Sequence, residues 1–197
     1  MRPKIDLDRL LAALDQVPQR PSSDYDLNLD VFPPDGRVLR PAAVLIGVLG
    51  DAVVLTKRAS HLKHHPGQIA FPGGKVDAGD ADPTATALRE AREEIGLDPA
   101  SVTVLADLPS HETVTGYLIN PVLARIERDF TPTPEPGEVA EVFRVPLSLV
   151  LDPARYRVES RRWRGVWRRY WVVPFGPFYI WGATARMLKA LADRVTP

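Results

Sequence analysis

The chain has 197 residues, 45% of them hydrophobic, which is enough for one globular domain with a sizeable core. Its 25 basic and 25 acidic residues balance, so the net charge does not favour a nucleic-acid or membrane-surface protein. The absence of cysteine excludes a disulfide framework, a thiolate zinc site and a cysteine nucleophile. Charges interrupt the N-terminal segment, and no apolar run approaches the roughly 20 residues of a membrane helix. We therefore expect a soluble, cytoplasmic protein with no membrane partner.

The N-terminal part of the sequence predicts a helix, a linker and the start of a sheet. Leucines at helical spacing indicate a short amphipathic helix over residues 5–17, and the proline- and serine-rich residues 18–26 follow as a linker. Apolar runs over residues 42–50 and 53–57 flank a Gly-Asp turn, which predicts a hairpin with a buried strand.

The clearest predicted helix covers residues 82–96, because both of its ends carry suitable residues. Asp82 suits the N-cap, Pro83 the first position and Gly96 a left-handed end. Further strands are predicted at residues 102–108, 116–126 and 138–147, and a C-terminal helix at residues 179–195. Interleaved strands and helices indicate an α/β or α+β fold with a mixed sheet.

Three glutamates share one face of the helix at residues 82–96. At about 100° per residue, Glu90, Glu93 and Glu94 gather on one side. The apolar side consists of Ala85, Leu88, Ala91 and Ile95. Glutamates three and four residues apart repel by a few tenths of a kcal/mol per pair, so we expect something to offset the repulsion. Mg²⁺ is commonly held by a few carboxylates while it binds substrate phosphates. The alternative is a solvated acidic face.

A glycine pair precedes this helix. Gly73 and Gly74 follow the apolar residues 69–72 and are followed by a polar loop. Glycines allow the backbone to approach a ligand closely, and free backbone groups at such a turn can meet phosphates or a metal ion. Alone, the pair would indicate a plain tight turn. In front of a helix that presents three glutamates, it predicts a phosphate or metal site.

The segment from Gly74 to Leu97 resembles the Nudix box, the loop-helix signature of hydrolases that cleave a nucleoside diphosphate linked to another moiety. The matching residues are Gly74, Arg89, Glu90, Glu93, Glu94, Gly96 and Leu97. The family's usual glutamate six residues after the glycine is Asp80 here, and one extra residue precedes Arg89. The resemblance implies a Nudix-type α/β/α sandwich around a mixed β-sheet. We place this domain at residues 41–197, after an N-terminal helix and linker at residues 1–40.

The same resemblance implies a metal-dependent mechanism. Glu90, Glu93 and Glu94 are expected to bind Mg²⁺ or Mn²⁺ with help from the Gly74 carbonyl. Arg89 is expected to orient a carboxylate, and it joins the three glutamates as a predicted catalytic residue. Metal ions would neutralise the diphosphate and lower the pKa of the water that attacks phosphorus.

Residues 55–74, with the sequence LTKRASHLKHHPGQIAFPGG, resemble the motif of the coenzyme A pyrophosphatase branch of the Nudix family. Lys63 stands where the branch usually has arginine, and residues 179–188 resemble the tail of the same branch. The resemblance implies a small-molecule substrate of the coenzyme A type, cut to 3',5'-ADP and 4'-phosphopantetheine. The predicted substrate-binding residues are Thr56, Arg58, Lys63, Gly67, Phe71 and Gly73.

Charge and spacing leave other interpretations of this stretch open. Arg58 and Lys63 suit the phosphates of coenzyme A, although solvated surface cations are the alternative. His61 and His65 are four residues apart, as in a helical zinc motif. However, no glutamate follows His61, and Pro66 follows His65 at once, so we favour loop histidines over a zinc site.

Two regions outside the box are further candidates. Glu112 and Glu141 are hypotheses for the general base, with surface glutamates as the alternative. Residues 161–171 combine five arginines with four aromatic residues, which would suit stacking on single-stranded RNA. A hairpin with a turn at residues 164–165 is favoured instead, and no nucleic-acid partner is expected. The same stretch could cover an adenine or form a homodimer contact.

These residues support three hypotheses for function. The first is a metal-dependent coenzyme A pyrophosphatase. The second is a pyrophosphatase of another nucleoside diphosphate derivative, such as ADP-ribose or a dinucleotide. The third is a nucleotide-binding Nudix module without catalysis, which three carboxylates facing an anionic ligand argue against.

Overall fold

The computed structural model describes residues 6–16, 20–163 and 165–195. Within them, the helices are α1 (Leu7–Gln16), α2 (Pro83–Ile95), α3 (Leu147–Val150) and α4 (Gly182–Val195). The strands are β1 (Ser22–Ser23), β2 (Arg40–Leu49), β3 (Ala52–Arg58), β4 (Ile69–Ala70), β5 (Gly73–Lys75), β6 (Val102–Asp107), β7 (His111–Glu112), β8 (Tyr117–Ile126), β9 (Val139–Pro146), β10 (Arg157–Trp163), β11 (Val166–Phe175) and β12 (Phe178–Trp181). Single 3₁₀ turns occur at Pro99–Ser101 and Pro153–Arg155.

The main sheet is mixed, as predicted. Strand β2 pairs in parallel with β8 along its whole length and antiparallel with β3 and β5. Strand β3 continues the sheet through β9 and β4, and β6 and β7 pair with β8. Strands β10, β11 and β12 form a second, antiparallel sheet. The predicted β2–β3 hairpin is therefore confirmed.

Side chains that alternate along β2 face two different layers. Leu45 packs in a cluster with Ala91 and Ile95 of α2, on one face of the main sheet. Ile46 packs in the larger cluster with residues of α1, α3 and α4, on the other face. The sheet thus lies between helical layers, and the predicted α/β/α arrangement is confirmed.

The ends of α2 are as the sequence predicts. The Asp82 carboxylate accepts a hydrogen bond from the Ala85 amide at 2.7 Å, and Pro83 occupies the first turn. Gly96 ends the helix with a φ of 71°, in the left-handed region where glycine is favoured. These caps fix where the helix begins and ends, and therefore how its glutamates face the preceding loop.

The N-terminal segment is tied to the rest of the fold. Helix α1 places Leu7, Leu10 and Leu14 in the larger core cluster, while residues 5 and 17 of the predicted helix lie outside the described residues. Part of the predicted linker forms β1, which pairs in parallel with β7. Residues 18 and 19 of that linker lie outside the described part, and the division of the chain at residue 40 stays a prediction.

Buried His111 reinforces this connection. Its Nδ1 lies 2.9 Å from the Ser22 hydroxyl and its Nε2 lies 3.2 Å from the Asp24 carboxylate. The His111 side chain is fully buried, so both polar contacts replace water that the ring has lost. These contacts link the N-terminal segment to β7 and give His111 a structural role.

The C-terminal helix starts later than predicted. Residues 179–181 belong to strand β12, in which Ile180 pairs with Val173 and Trp181 with Val172. Ile180 is fully buried in the core, and this long-range pairing outweighs the local helical pattern. The hairpin of β10 and β11 is confirmed, although residue 164 of its predicted turn lies outside the described residues. No helix in the described parts of the chain has the length and hydropathy to cross a bilayer.

Candidate active site

The glycine pair and helix α2 meet closely. Strand β5 pairs Gly73 with Val44 and Gly74 with Ala43 of β2, which brings the pair under the helix. The Gly73 amide donates a hydrogen bond to Glu94 Oε2 at 3.1 Å. A methyl group at Gly74 would overlap the carboxyl group of Glu90. Both positions therefore require glycine for packing, because a side chain at either one would enter occupied space.

The three glutamates on one side of α2 differ in burial, which the sequence did not predict. Glu94 is only 4% exposed and lies on the buried side with Ala91 and Ile95, whereas Glu93 is exposed. Ala85 and Leu88, predicted to face the core, are only partly buried and line an open groove on the helix surface. The helix packs on β2 and β5, and this packing places Glu94 next to the Gly73 amide.

Burial and like charge make two of the glutamates hard to ionise. Burial raises the pKa of Glu94 to about 7, with further contributions from Glu90 and Glu138, while the Gly73 hydrogen bond opposes the shift. Burial also raises the pKa of Glu90, against the opposing effect of Arg89. A cation bound between these carboxylates would favour their charged forms. The donor set therefore suits a hard divalent ion.

Arg89 is the centre of the polar network beside these carboxylates. Its guanidinium donates to both oxygens of Asp80, at 2.9 and 3.0 Å, and to the Lys75 carbonyl at 3.1 Å. It also donates to Glu90 at 3.1 Å and Glu93 at 2.9 Å. The hydrogen bonds from Arg89 hold the pKa of Asp80 well below its usual range. Asp80 therefore anchors the arginine that orients two of the candidate ligands.

Among the residues that the structure describes, no three acidic or histidine side chains converge as a ready-made metal cage. Arg89 engages Glu90 and Glu93, and the Glu94 carboxylate is turned toward the Gly73 amide. A metal ion would have to draw these oxygens away from their present donors. The residue types and the close approach of Gly74 to Glu90 fit such an ion.

Residues 58–68 form a closed loop next to the glycine pair. The Arg58 amide donates to the Gln68 carbonyl at 3.0 Å, and the Gly67 amide donates back to the Arg58 carbonyl at 3.1 Å. Gly67 has a φ of 69° and His65 a φ of 54°, so the loop turns through two left-handed residues. The loop contains no helix, which removes the geometric basis of a helical zinc motif.

The predicted substrate-binding residues have different surroundings. Thr56 is buried and donates its hydroxyl to the Ala70 carbonyl at 3.2 Å, and Phe71 is buried in the larger core cluster. These two buried side chains pack beside the strands that flank the loop. Lys63 is exposed. Arg58 lies close enough to Glu94 to lower its pKa, and its buried Nε has no hydrogen-bond partner.

Of the glutamates outside α2, the structure brings Glu138 to the site. Its charge raises the pKa of both Glu90 and Glu94, and its carbonyl accepts from the Ala59 amide at 2.8 Å. Glu112 instead forms an ion pair with Arg37, and Glu141 lies on β9 opposite Lys57. Sequence reasoning did not select Glu138, because its approach to α2 depends on the pairing of β9 with β3.

The sandwich places the glycine pair against a helix whose Glu94 is buried and whose Glu90 is partly buried. Residues 38–164 match the family described as NUDIX domain, so the chain belongs to the hydrolases that act on phosphoric anhydrides. Within that class, it is a member of the Nudix family. Members of this family generally use divalent metal ions.

Relatives extend the similarity over most of the chain. A protein from Enterobacter described as "Uncharacterized Nudix hydrolase NudL" is 40% identical over 185 residues, covering 87% of this chain and 96% of its own. One from Escherichia coli with the same description is 40% identical over 159 residues, covering 79% of this chain and 83% of its own.

Solved structures resemble the fold more distantly. The Nudix hydrolase RenU of M. smegmatis has 25% identity and a TM-score of 0.45, over 59% of this chain and 83% of its own. The NUDIX domain of Shewanella oneidensis NrtR, complexed with ADP ribose, has 20% identity and a TM-score of 0.45, over 62% of this chain and 83% of its own.

Proposed function

We propose that this Nudix hydrolase cleaves the diphosphate of coenzyme A or its derivatives to give 3',5'-ADP and 4'-phosphopantetheine. One observation carries the proposal: Arg58, in the segment that resembles the coenzyme A motif, lies within electrostatic reach of the buried Glu94 carboxyl. This proximity supports a single site that combines the loop proposed to bind the substrate with the carboxylates proposed to hold the metal ion. We further propose that the protein is cytoplasmic, with a homodimer as a hypothesis.

Glu90, Glu93 and Glu94, with the Gly74 carbonyl, would hold Mg²⁺ or Mn²⁺ in this proposal. The bound ion would supply neutralisation of the diphosphate charge and a lowered pKa for the attacking water. Arg89 would keep Glu90 and Glu93 oriented through its anchor on Asp80. The buried Nε of Arg58 offers an unused hydrogen-bond donor for a phosphate oxygen of the substrate.

Glu138 is our choice for the residue that accepts a proton from the attacking water. It lies in the turn before β9, away from α2 in the sequence, yet its charge acts on both Glu90 and Glu94. Glu112 is instead engaged in an ion pair with Arg37. Glu141 remains a hypothesis without a supporting contact. Replacement of Glu138 by Gln should lower kcat by about 10²-fold or more and leave KM nearly unchanged.

Two alternatives remain, and both are separated by product analysis. The purified protein is incubated with Mg²⁺ or Mn²⁺ and, one at a time, coenzyme A, ADP-ribose and a dinucleotide, and products are identified by mass spectrometry. Our proposal expects 3',5'-ADP and 4'-phosphopantetheine from coenzyme A, and no turnover by Glu94→Gln. Cleavage of ADP-ribose without cleavage of coenzyme A would support the other pyrophosphatase. Binding without turnover of any compound would support a nucleotide-binding module.

A further inference from the structure

The C-terminal hairpin meets the loop at residues 58–68. At the end of β12, a methyl group on Gly182 would lie 3.8 Å from the side-chain amide nitrogen of Gln68. Two residues further on, the Thr184 hydroxyl donates to the Ile69 carbonyl at 3.0 Å. The junction of β12 and α4 is therefore fixed against the C-terminal end of this loop.

This junction places one arginine of the hairpin next to the loop. The Arg161 guanidinium stacks on the Trp181 ring at 4.8 Å from its centroid. His65, at the tip of the loop, has a lowered pKa; burial is the main cause, and the charges of Arg58 and Arg161 both contribute. The charges of Arg58 and Arg161, which lie on different strands, thus both act on His65.

Positive charge is left uncompensated here. Within the described residues, neither Arg58 nor Arg161 forms a salt bridge or a side-chain hydrogen bond; the buried Nε of Arg58 has no partner, and the Arg161 guanidinium contacts the Trp181 ring. Arg161 also stands directly opposite Arg168 in the β10–β11 pairing, a like-charge arrangement that disfavours the hairpin. An anion bound between Arg58 and Arg161 would compensate the positive charge of these two side chains.

We propose that Arg161 and Arg58 form a phosphomonoester subsite at the rim of the catalytic site, which takes the 3'-phosphate of the substrate's adenosine. The proposal rests on the proposed function and adds a specificity-determining residue, Arg161, from outside both sequence motifs. Stacking on Trp181 holds one face of the Arg161 guanidinium and leaves its N–H edge free to donate to phosphate oxygens.

Arg168 does not belong to this subsite. Its guanidinium lies between the rings of Tyr25 and Trp163, at 5.3 and 5.2 Å from their centroids. Of the two arginines paired across the hairpin, Arg161 is the more exposed and stacks on Trp181, next to the loop. The two positions can therefore be distinguished by substitution.

The kinetic test compares coenzyme A with dephospho-coenzyme A, which lacks only the 3'-phosphate. In Arg161→Ala, kcat/KM for coenzyme A should fall about tenfold, while the value for dephospho-coenzyme A changes less than about twofold. Arg161→Lys should restore part of the preference. The control is Arg162→Ala, on the same strand but the opposite face, where the side chain donates to the Gly165 carbonyl at 3.2 Å.

A binding measurement keeps this test independent of turnover. Calorimetry compares 3',5'-ADP with 5'-AMP on the wild-type protein and on Arg161→Ala. The subsite predicts tighter binding of 3',5'-ADP and loss of most of that advantage in the variant. An equal advantage in both proteins, or none in the wild type, would overturn the subsite. If the advantage depends on Arg161 but coenzyme A is not cleaved, the subsite stands and the proposed function fails.

Discussion

The backbone of Gly74 lies against the carboxyl group of Glu90, so closely that a methyl group on residue 74 would overlap it. We predict that Gly74→Ala displaces Glu90 and lowers kcat by more than about tenfold, since small misplacements of a catalytic group are costly. The control is Gly79→Ala, because nothing lies within 4 Å of a methyl group at Gly79. Circular dichroism should show both variants folded; equal activity of the two would contradict the role of this contact.

The pKa of Glu94 gives a pH prediction for the metal-free protein. The ordinary pKa of this carboxyl, 4.5, is raised to about 7 in the folded state. Between pH 4.5 and pH 7, the folded protein therefore keeps a proton that the unfolded chain releases. The stability that Glu94 contributes is therefore present below pH 4.5 and lost as the pH rises through 7. Relative to Glu94→Gln, wild-type Tm should fall by several degrees across this range in a chelator.

Addition of Mg²⁺ or Mn²⁺ at a pH above 7 should reverse this effect in the wild type. A metal ion favours the ionised carboxylate and binds only the folded protein, so it should raise Tm. Glu94→Gln should gain much less. If the difference in Tm between wild type and variant is the same at every pH, with and without metal, Glu94 neither titrates nor binds metal as described.

The pairing of Arg89 with Asp80 should be visible as coupling between two substitutions. Each of Arg89→Lys and Asp80→Asn breaks the same forked interaction and should lower Tm by roughly 2–4 °C. The double variant should lose less than the sum of the two single losses. Metal affinity should also fall in both single variants, because Arg89 orients Glu90 and Glu93. Strictly additive losses would argue against a direct coupling.

His111 should matter for stability and not for chemistry. His111→Leu removes both contacts of the buried ring, to Ser22 and Asp24, and should cost about 1–3 kcal/mol of unfolding free energy. Hydrogen exchange of residues 20–28 should accelerate, because this segment loses two side-chain contacts to β7 and keeps only its backbone pairing there. His61→Ala, at an exposed loop position, is the control. A large loss of kcat without loss of stability in His111→Leu would indicate a direct part in the reaction.

Local features of the fold were predictable from the sequence, and long-range ones were not. The capped helix α2 was predicted correctly, since Asp82 and Gly96 satisfy backbone groups within one turn of themselves. Residues 179–181 were assigned to a helix because their partners, 172–174, belong to another strand whose pairing no local pattern reveals. The burial of Glu94 was not predicted for a similar reason: helical periodicity gives the direction of its side chain, but not the location of Gly73 beside it.

The candidate site shows the same division. The residues of the loop and of α2 are adjacent in sequence and could be proposed from motif resemblance. Glu138 and Arg161 reach that region only through the pairing of β9 with β3 and the contact of Arg161 with Trp181. A zinc site at His61 and His65 was disfavoured from the sequence, and the loop that contains them is not helical.

Competition between substrates tests the central claim most directly. Equimolar coenzyme A, ADP-ribose and a dinucleotide are mixed with the enzyme and Mg²⁺, and the decay of each is followed by liquid chromatography and mass spectrometry. The relative decay rates give the ratios of kcat/KM. We predict that coenzyme A disappears first, with 3',5'-ADP and 4'-phosphopantetheine formed in equal amounts. Loss of either other compound while coenzyme A persists would contradict the proposal.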